Sequence, residues 1–587
     1  MDAMAALAGA TQMQSALHLL ATLQLTAPLY QQHCVVNDGD SFDFVVVGAG
    51  SAGSVLANRL SEAEHVSVLL IEEGGDPPLE STFPGLFPFL AGGQVDKKFV
   101  TEDDHKTHRC HRNHVGNLTS GSMLGGSSSL NYMFYVRGDP YDYERWAIAA
   151  QDPTWSWAGV LPYFIKSERL EDPTLLFSPY AINHGTSGYL GVTREYRNDT
   201  ERYLEAVREL GYDVLWDVNG DRHLGFTPQL YTIAGGVRQS TAHSYLSPVR
   251  HRRNLCILKN TKATKIVFDK HNNAVGVEVK TQSGQQLTVR ANQEVVVSAG
   301  AIMSPQLLML SGIGPAEHLK QLGIPVRCDL PVGMNYQDHV VSLILFQMEK
   351  CYSPPKPQEQ NFFPFPAFTG YIALDKSQPY PDSEIVNFII QNDSGANTLI
   401  CAFNYWFNFE ICQKFHEASK GRNTLLATVN KLHPKSRGRV LLRSRNPDDY
   451  PKIDAGMFSE ESDLDDMAKY MEEYARMVNT SYFRSVGAEI VDLKLSPCEG
   501  LTRWSREYWR CHAQCLMNTN YHYSGTCALG SVVDSRLRVR GARRLRVVDA
   551  SVMPTITGGN TNAPVIMIAE KAADFIKEEN DLFRKFK

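Results

Sequence analysis

One βαβ unit near the N-terminus constrains the fold more than any other feature of the sequence. The run Phe44-Val45-Val46-Val47 is short, apolar and rich in β-branched residues, as in a buried parallel strand. The letters GAGSAG follow it, then a predicted helix over residues 54–60 and a second strand over residues 66–71. The three glycines permit the tight turn, the close approach of a pyrophosphate and close packing of helix on strand. The unit predicts a parallel α/β sheet that binds a dinucleotide.

The acidic residue after the second strand indicates how such a ligand is held. Glu72 ends that strand, where a carboxylate can accept hydrogen bonds from ribose hydroxyls. The N-terminus of the intervening helix offers free N–H groups and partial positive charge to the phosphates. The unit alone does not distinguish NAD from FAD.

Two later segments extend this pattern. Residues 121–131, GSMLGGSSSLN, form either a flexible loop or a backbone cradle for a flat or anionic ligand. The apolar run over residues 294–298 leads through Ala299-Gly300-Ala301 into a predicted helix over residues 304–311, which Gly312 ends. This second segment predicts another strand–turn–helix of the same sheet.

A segment rich in proline and aromatic residues lies further along the chain. Residues 351–381 contain SPPKPQ, FFPFPAF and QPYP, and this proline content predicts neither a regular helix nor a central strand. Two interpretations stay open, an ordered surface loop and a lid over an active site.

Composition excludes several classes of protein. A chain of 587 residues is longer than a domain with a single hydrophobic core, so we expect two or more domains or one fold with large insertions. A formal net charge of −6 without a basic stripe gives no reason to bind nucleic acid. No run of 18 apolar residues predicts a transmembrane segment. Residues 1–40 are expected to be a poorly ordered tail or a weak secretory signal, since no Lys or Arg precedes Arg59.

Cysteines and sequons leave the compartment open. The 11 cysteines are sparse for a disulfide scaffold, and no C-x-x-C pair favours zinc. Cys511 and Cys515 have the spacing of two residues on one helix face. The N-x-S/T sequons permit secretion without requiring it, and they begin at Asn117, Asn198, Asn392 and Asn479.

Several ordered blocks together resemble the glucose–methanol–choline (GMC) family of oxidoreductases, most closely its insect glucose-dehydrogenase-like branch. The resemblance spans residues 43–577. Its blocks, in chain order, are DFVVVGAGSAGSVLANRLSE, LLIEEGG, LGGSSSLNYMFYVRG, SAGAIMSPQLLMLSGIGP, LPVGMNYQDH, HPKSRGRVLLRS, NYHYSGTCALG and RVVDASVMPTITGGNTNAPVIMIAEKAAD.

The resemblance implies an α/β fold with a Rossmann-like FAD-binding domain and a discontinuous substrate-binding domain on a mixed or antiparallel sheet. We expect the FAD-binding domain to comprise residues 41–150, 230–335 and 525–580. The substrate-binding domain is expected over residues 151–229 and 336–524.

The family's cofactor residues carry over by position. Those expected at the FAD pyrophosphate are Gly48, Gly50, Ser51, Ala52 and Gly53, with Glu72 at the adenosine ribose. Those expected beside the flavin are Leu124, Gly125, Ser127, Asn131 and Met133, with Asp549 and Ala550 closing over the pyrophosphate and flavin. The expected FAD is non-covalent, because Leu130 stands where some relatives attach the flavin through a histidine.

The reaction that the resemblance implies is oxidation of an alcohol CH–OH group. The hydride goes to flavin N5 and the hydroxyl proton to a base, which the match identifies as His522. Asn560 holds the second position over the flavin, where it can polarise the substrate oxygen but cannot take its proton. Two departures stand out: residues 119–123 lack the basic residue that the family often has there, and Leu529 replaces a methionine.

Alternatives to alcohol oxidation are lyase or isomerase chemistry on the same flavin scaffold, and a flavin-binding paralogue without turnover. The expected partners are a small-molecule alcohol and an electron acceptor, oxygen or a quinone-like carrier. No metal is expected. The insect branch favours an extracellular or secretory-pathway location. The identity of the alcohol is left open.

Overall fold

The computed structural model describes residues 29–350 and 359–582. Two seven-stranded sheets dominate this part of the chain. Their strands, numbered in chain order, are β1 (Ser41–Val47), β2 (Val68–Ile71), β3 (Gly225–Pro228), β4 (Leu255–Leu258), β5 (Thr261–Phe268), β6 (Ala274–Thr281), β7 (Gln286–Val297), β8 (Val340–Lys350), β9 (Ala367–Ile372), β10 (Ser383–Ile390), β11 (Arg422–Lys431), β12 (Glu489–Ile490), β13 (Asn518–Thr519) and β14 (Leu545–Val547).

The first sheet has the order β4-β2-β1-β7-β6-β5, with β14 also paired to β7. Its strands β4, β2, β1, β7 and β14 run parallel, with Val47 opposite both Ile71 and Val297. The end of β1 is fully apolar and buried, as a central parallel strand requires. The hairpin of β5 and β6 extends this sheet in the antiparallel sense.

The second sheet has the order β12-β8-β11-β10-β9-β3, with β13 also paired to β8. All its pairings are antiparallel. Its inner strand β10 is buried along its whole length, because it is covered on both faces.

Longer helices cover both sheets. Their bounds are α1 (Ser51–Leu60), α2 (Pro140–Ala150), α3 (Trp157–Ser167), α4 (Glu201–Glu209), α5 (Gly300–Leu310), α6 (Phe409–Ser419), α7 (Glu461–Ala475), α8 (Arg506–Leu516) and α9 (Asn562–Glu579). Helices α1 and α9 pack on each other against the first sheet. Helices α7 and α8 pack together in the core of the second.

The apolar side chains gather in two large clusters, one under each sheet. The first contains β1, β2 and β7 residues together with α1 and α9. The second contains β8, β10 and β11 residues together with α7 and α8. Side chains from Trp155 to Val192 belong to the first cluster, so this stretch packs beside the parallel sheet.

The proline-rich segment departs from its prediction. Strand β9 lies inside it and pairs with both β10 and β3, so it is an inner strand of the second sheet. The expectation that no central strand occurs in residues 351–381 is therefore wrong for this stretch. The reason is that the six residues AFTGYI lie between Pro366 and Pro379 and contain no proline. Residues 351–358 lie outside the described part of the chain.

Cysteines are paired more often than their low density suggested. Within the described residues, disulfides join Cys34–Cys256, Cys110–Cys515, Cys401–Cys412 and Cys498–Cys511. Cys511 and Cys515 do lie on one helix, α8, but each binds a different partner. In the described ranges, no helix has the length and apolar character that crossing a bilayer requires.

Candidate active site

A deep cavity lies at the carboxyl edge of the parallel strands. The residues that immediately follow β1, β2 and β7 are Gly48, Glu72 and Ser298, and all three line it. Asp549, two residues beyond β14, lines it as well. The carboxyl edge of a parallel sheet is where open α/β folds bind ligands.

Three helix N-termini face the same cavity. Ser51 of α1, Gly300 of α5 and Asn562 of α9 all line it, and the residue that precedes each helix makes no side-chain capping bond. The Ser51 hydroxyl donates to the Asn562 Oδ1 at 2.8 Å, which joins two of the three ends. At α5 the Gly300 N–H is taken by Asp549, and the positive ends of the three helix dipoles favour an anionic or carbonyl-rich ligand here.

The glycines of the first turn have distinct structural roles. A Cβ on Gly53 would lie 1.8 Å from the Gly48 carbonyl oxygen, so this glycine permits the close packing of α1 on the turn. A Cβ on Gly50 would meet only the Gly126 Cα, at 3.9 Å, and would otherwise point into open space. The two glycine-rich loops therefore touch beside the cavity, and Gly50 leaves room for a ligand group there.

Two buried carboxylates fix the loops around the cavity. Glu72 accepts hydrogen bonds from the Ala49 and Gly74 N–H groups, both at 2.9 Å. Asp549 accepts from the Gly300 N–H at 2.9 Å and from the Ser304 hydroxyl at 2.5 Å. Burial raises the pKa of both carboxyl groups, against the lowering effect of these donors.

A histidine and an asparagine meet at the far end of the cavity. Asn560 Nδ2 lies 3.1 Å from His522 Nε2, and both residues line the cavity. On the other side of the ring, His522 Nδ1 lies 2.9 Å from His339 Nδ1. The His522 backbone N–H donates to Asp338 Oδ1 at 3.0 Å, so the ring is held from its main chain as well.

This chain of contacts fixes the tautomer of His522. His339 Nε2 lies 3.0 Å from the Leu432 carbonyl oxygen, which can only accept, so His339 carries its proton on Nε2. Neutral His339 then accepts at Nδ1 from the His522 Nδ1–H. His522 Nε2 consequently keeps its lone pair, which faces Asn560 and the cavity.

Burial keeps both imidazoles neutral. It lowers the pKa of His339 to about 3, and burial together with His339 holds the pKa of His522 well below 6.5. Burial also raises the pKa of Asp338 to about 7, against the donors Thr519 and His522. A neutral imidazole whose Nε2 lone pair meets only an amide donor can exchange that donor for a bound hydroxyl group and take its proton.

Most predicted cofactor residues line this one cavity together with the His522–Asn560 pair. They are Gly48, Gly50, Ser51, Ala52, Glu72, Ser127, Asn131, Met133, Asp549 and Ala550. The remaining three do not line it, since Gly53 packs on the Gly48 backbone, Leu124 is fully buried in the first core, and Gly125 turns beside Ser129.

Sequence reasoning gave no role to several residues of the site. His339 and Asp338 lie in the block LPVGMNYQDH, which was recognised as a family motif only. Asn404 and Tyr405 line the cavity from a segment for which no motif was predicted. For His339, the one sequence signal is its position directly after Asp338 in LPVGMNYQDH.

The wall opposite the first sheet is uncharged. It consists mainly of aromatic and aliphatic side chains, namely Phe87, Tyr132, Phe134, Val386, Phe388, Tyr405 and Tyr521. Its polar groups are neutral, namely the tyrosine hydroxyls and Asn404, whose Oδ1 is buried without a hydrogen-bond partner. The charged lining residues Glu73, Lys97 and Lys262 form ion pairs with one another beside the first sheet.

The fold and site define a dinucleotide-binding protein with a buried, neutral histidine in its cavity, and comparisons with known proteins make this specific. The family model "GMC oxidoreductase" matches residues 42–341 with its N-terminal part and residues 434–569 with its C-terminal part. The chain is 39% identical to ecdysone oxidase of Spodoptera littoralis, covering 97% of each chain. It is 35% identical to "Glucose dehydrogenase [FAD, quinone]" of Drosophila melanogaster, covering 91% of this chain and 87% of that protein.

A solved structure shares the fold. Pyridoxine 4-oxidase from Mesorbium loti superposes with a TM-score of 0.74 at 28% identity, covering 91% of this chain and 98% of that one. The protein belongs to the GMC oxidoreductase family. It is an FAD-dependent oxidoreductase that acts on the CH–OH group of an alcohol, which confirms the family, the fold class and the reaction class expected from the sequence.

The residues present fit FAD. The open space over Gly50 and the uncapped N-terminus of α1 suit a pyrophosphate. Glu72 keeps lone pairs for ribose hydroxyls beside its two backbone donors.

Proposed function

We propose that this protein oxidises a bulky, uncharged alcohol with His522 as the base that accepts the hydroxyl proton. The observation that carries this proposal is the hydrogen-bond chain that leaves the His522 Nε2 lone pair facing the cavity. Bound FAD supplies the hydride acceptor. Asn560 Nδ2 lies 3.1 Å from His522 Nε2. When the substrate hydroxyl binds between the two side chains, this amide donates to the substrate oxygen and stabilises the negative charge that develops there.

The proposed binding of FAD follows the cavity lining. The turn Gly48–Ala52 and the ends of α1 and α5 hold the pyrophosphate, and Glu72 holds the ribose. Ser127, Asn131 and Met133 would line the flavin side, and Asp549 and Ala550 would close over the pyrophosphate and flavin, since all five line the cavity. Gly53, Leu124 and Gly125 shape these loops from behind.

We infer that the FAD is held without a covalent bond. Leu130 offers no nucleophile, and the histidines at 105, 108, 111 and 114 are absent from the lining of the cavity within the described residues. Acid precipitation of the purified protein is expected to leave all yellow colour in the supernatant. Flavin that stays with the washed, denatured pellet contradicts this.

A sterol-type alcohol suits the uncharged wall best. No acidic side chain is on the wall formed by Val386, Phe388, Tyr405 and their neighbours, so a cationic alcohol finds no counter-charge there. Flat aromatic and aliphatic surfaces suit a rigid apolar ring system. The relative named ecdysone oxidase supports the same class. The unpaired Asn404 Oδ1 offers one acceptor for a second hydroxyl of the substrate.

A substrate panel tests this proposal. Under anaerobic conditions, we expect ecdysone and a simple steroid alcohol to bleach the flavin, and choline and glucose to do so much more slowly. Faster bleaching by glucose or choline refutes the sterol-type class. Regeneration of the oxidised flavin by oxygen, compared with that by a soluble quinone, then identifies the acceptor.

The proposed domains are an FAD-binding unit of residues 41–150, 230–335 and 525–580 and a substrate unit of residues 151–229 and 336–524. The two sheets and their separate cores support this division, although side chains between Trp155 and Val192 pack with the first core. We further propose that the protein folds in the secretory pathway. The four disulfides within the described part of the chain support an oxidising compartment.

A further inference from the structure

Three arginine side chains are buried almost completely, and only two of them have an acidic partner. Arg137 pairs with Glu168 at 2.8 Å, and Arg546 pairs with Glu294 at 2.6 Å. Arg238, 2% exposed, donates only to uncharged oxygens in the described ranges. A buried charge without a counter-charge is unfavourable, so its presence needs a physical reason.

Arg238 contacts neutral acceptors only. Its Nε donates to the Ser81 carbonyl oxygen at 2.7 Å, and its Nη1 donates to the Asn131 carbonyl oxygen at 2.7 Å and to Asn131 Oδ1 at 2.9 Å. Nη2 has no partner. Burial lowers the pKa of this guanidinium to about 9, so it stays charged at neutral pH.

The charge lies one residue layer behind the cavity. Asn131 lines the cavity. Its Oδ1 accepts from Arg238 and from the Met133 N–H, so its Nδ2 is left to donate to a ligand in the cavity. Three residues after Arg238, the Thr241 hydroxyl lies within hydrogen-bond distance of the Gly50 carbonyl oxygen, at 3.4 Å. The segment that carries Arg238 therefore supports both glycine-rich loops.

The two lysines that line the cavity, unlike Arg238, have acidic partners. Lys97 and Lys262 both pair with Glu73, and Lys262 also lies 3.5 Å from Asp448. Residues 119–123 lack the basic residue expected before the second glycine-rich loop. FAD carries two negative charges on its diphosphate, so its binding adds negative charge next to this loop.

We propose that Arg238 is the counter-charge for bound FAD, acting through Asn131 and the loop over residues 126–131. Two-electron reduction adds negative charge to the ring system, so the same cation also favours the reduced cofactor. Arg238 is thus a positioning residue whose charge acts on both the affinity and the potential of FAD.

Variants of the holoenzyme separate charge from hydrogen bonding. Arg238→Met and Arg238→Gln remove the charge, and Gln keeps a donor for Asn131. Arg238→Lys keeps the charge. Arg253→Met, at an exposed arginine, is the control for an equal change in net charge. The readouts are release of fluorescent FAD on dilution and the two-electron midpoint potential, neither of which requires substrate.

We expect Arg238→Met and Arg238→Gln to bind FAD about tenfold or more weakly. Their reduction equilibrium is expected to shift about tenfold toward the oxidised form, or about 30 mV for a two-electron couple. Arg238→Lys is expected to keep most of the wild-type FAD affinity and midpoint potential, and Arg253→Met is expected to match the wild type in both. Unchanged affinity and potential in Arg238→Gln overturn the proposal, as does a Lys variant as weak as the neutral ones. Failure of the wild type itself to hold FAD contradicts the cofactor assignment instead.

Discussion

At the scale of single residues, the contact between two imidazoles sets the chemistry of the site. His339 donates to the Leu432 carbonyl oxygen and therefore accepts from His522. The same logic fixes histidine tautomers in catalytic triads, where the partner orients the base without itself reacting. His339 is accordingly a positioning residue for His522.

We predict that His339→Leu slows flavin reduction on the order of tenfold or more. The substitution removes the acceptor of the His522 Nδ1–H, so the tautomer that leaves Nε2 unprotonated is no longer stabilised. The substrate KM is expected to change little, since His339 does not line the cavity. His512→Leu is the matched control, because His512 is also buried and also contacts a backbone carbonyl, that of Leu343, away from the cavity. Equal losses in both variants indicate a merely structural role for His339.

The pH profile follows from the burial of His522. Its pKa lies well below 6.5, and the base must be neutral to accept a proton. The rate constant for flavin reduction is therefore expected to stay constant as the pH falls through 6.5 and to decrease only at lower pH. Stopped-flow measurement across this range checks it, and an acid limb centred at or above pH 6.5 counts against His522 as the base.

At the scale of elements, the segment that joins β1 to α1 contains two glycines with different roles, one in ligand binding and one in packing. A Cβ on Gly50 points into open space next to Gly126, whereas one on Gly53 clashes with the Gly48 carbonyl. Gly50→Ala is expected to fold normally but to bind FAD at least about tenfold more weakly, because the methyl occupies space that the pyrophosphate needs.

Gly53→Ala is expected to lose folding stability instead, because α1 must move away from the turn. Thermal unfolding and FAD titration of both variants separate the two effects. A Gly50→Ala protein that retains full FAD affinity rules out the proposed course of the pyrophosphate.

The parallel sheet was predictable at the level of its motifs. Both strands of the βαβ unit and helix α1 occur where the apolar runs and glycines indicate, because local sequence determines them. Strand β9 is not predicted from the sequence, because the prolines of residues 351–381 surround a stretch of six residues that contains none. These six residues form a strand because they pair with β3 and β10. The His339–His522 contact was equally invisible, because it joins residues far apart in sequence through side-chain geometry alone.

At the scale of the whole molecule, disulfides join distant segments of the chain. Cys34–Cys256 joins residues 222 positions apart and ties the segment before β1 to the edge strand β4. Closing so long a loop restricts the unfolded chain strongly.

We predict that the Cys34→Ser/Cys256→Ser double variant loses about 2–4 kcal/mol of unfolding free energy while retaining FAD and activity, since neither residue lines the cavity. Denaturant unfolding of the two proteins measures the difference. Peptide mapping without reductant should recover the four disulfide-linked peptide pairs from the wild type. Free thiols at these two positions in active, fully stable protein contradict the assignment.

The most direct test of the account is the rate at which an oxidisable steroid alcohol reduces the flavin in wild type and in His522→Ala. Both holoenzymes are mixed anaerobically with the alcohol, and loss of flavin absorbance is followed in a stopped-flow instrument. Loss of a positioned base is expected to slow reduction by about 10²-fold or more, and Asn560→Ala to slow it less. Reduction of the His522→Ala flavin at close to the wild-type rate contradicts His522 as the base and, with it, the proposed mechanism.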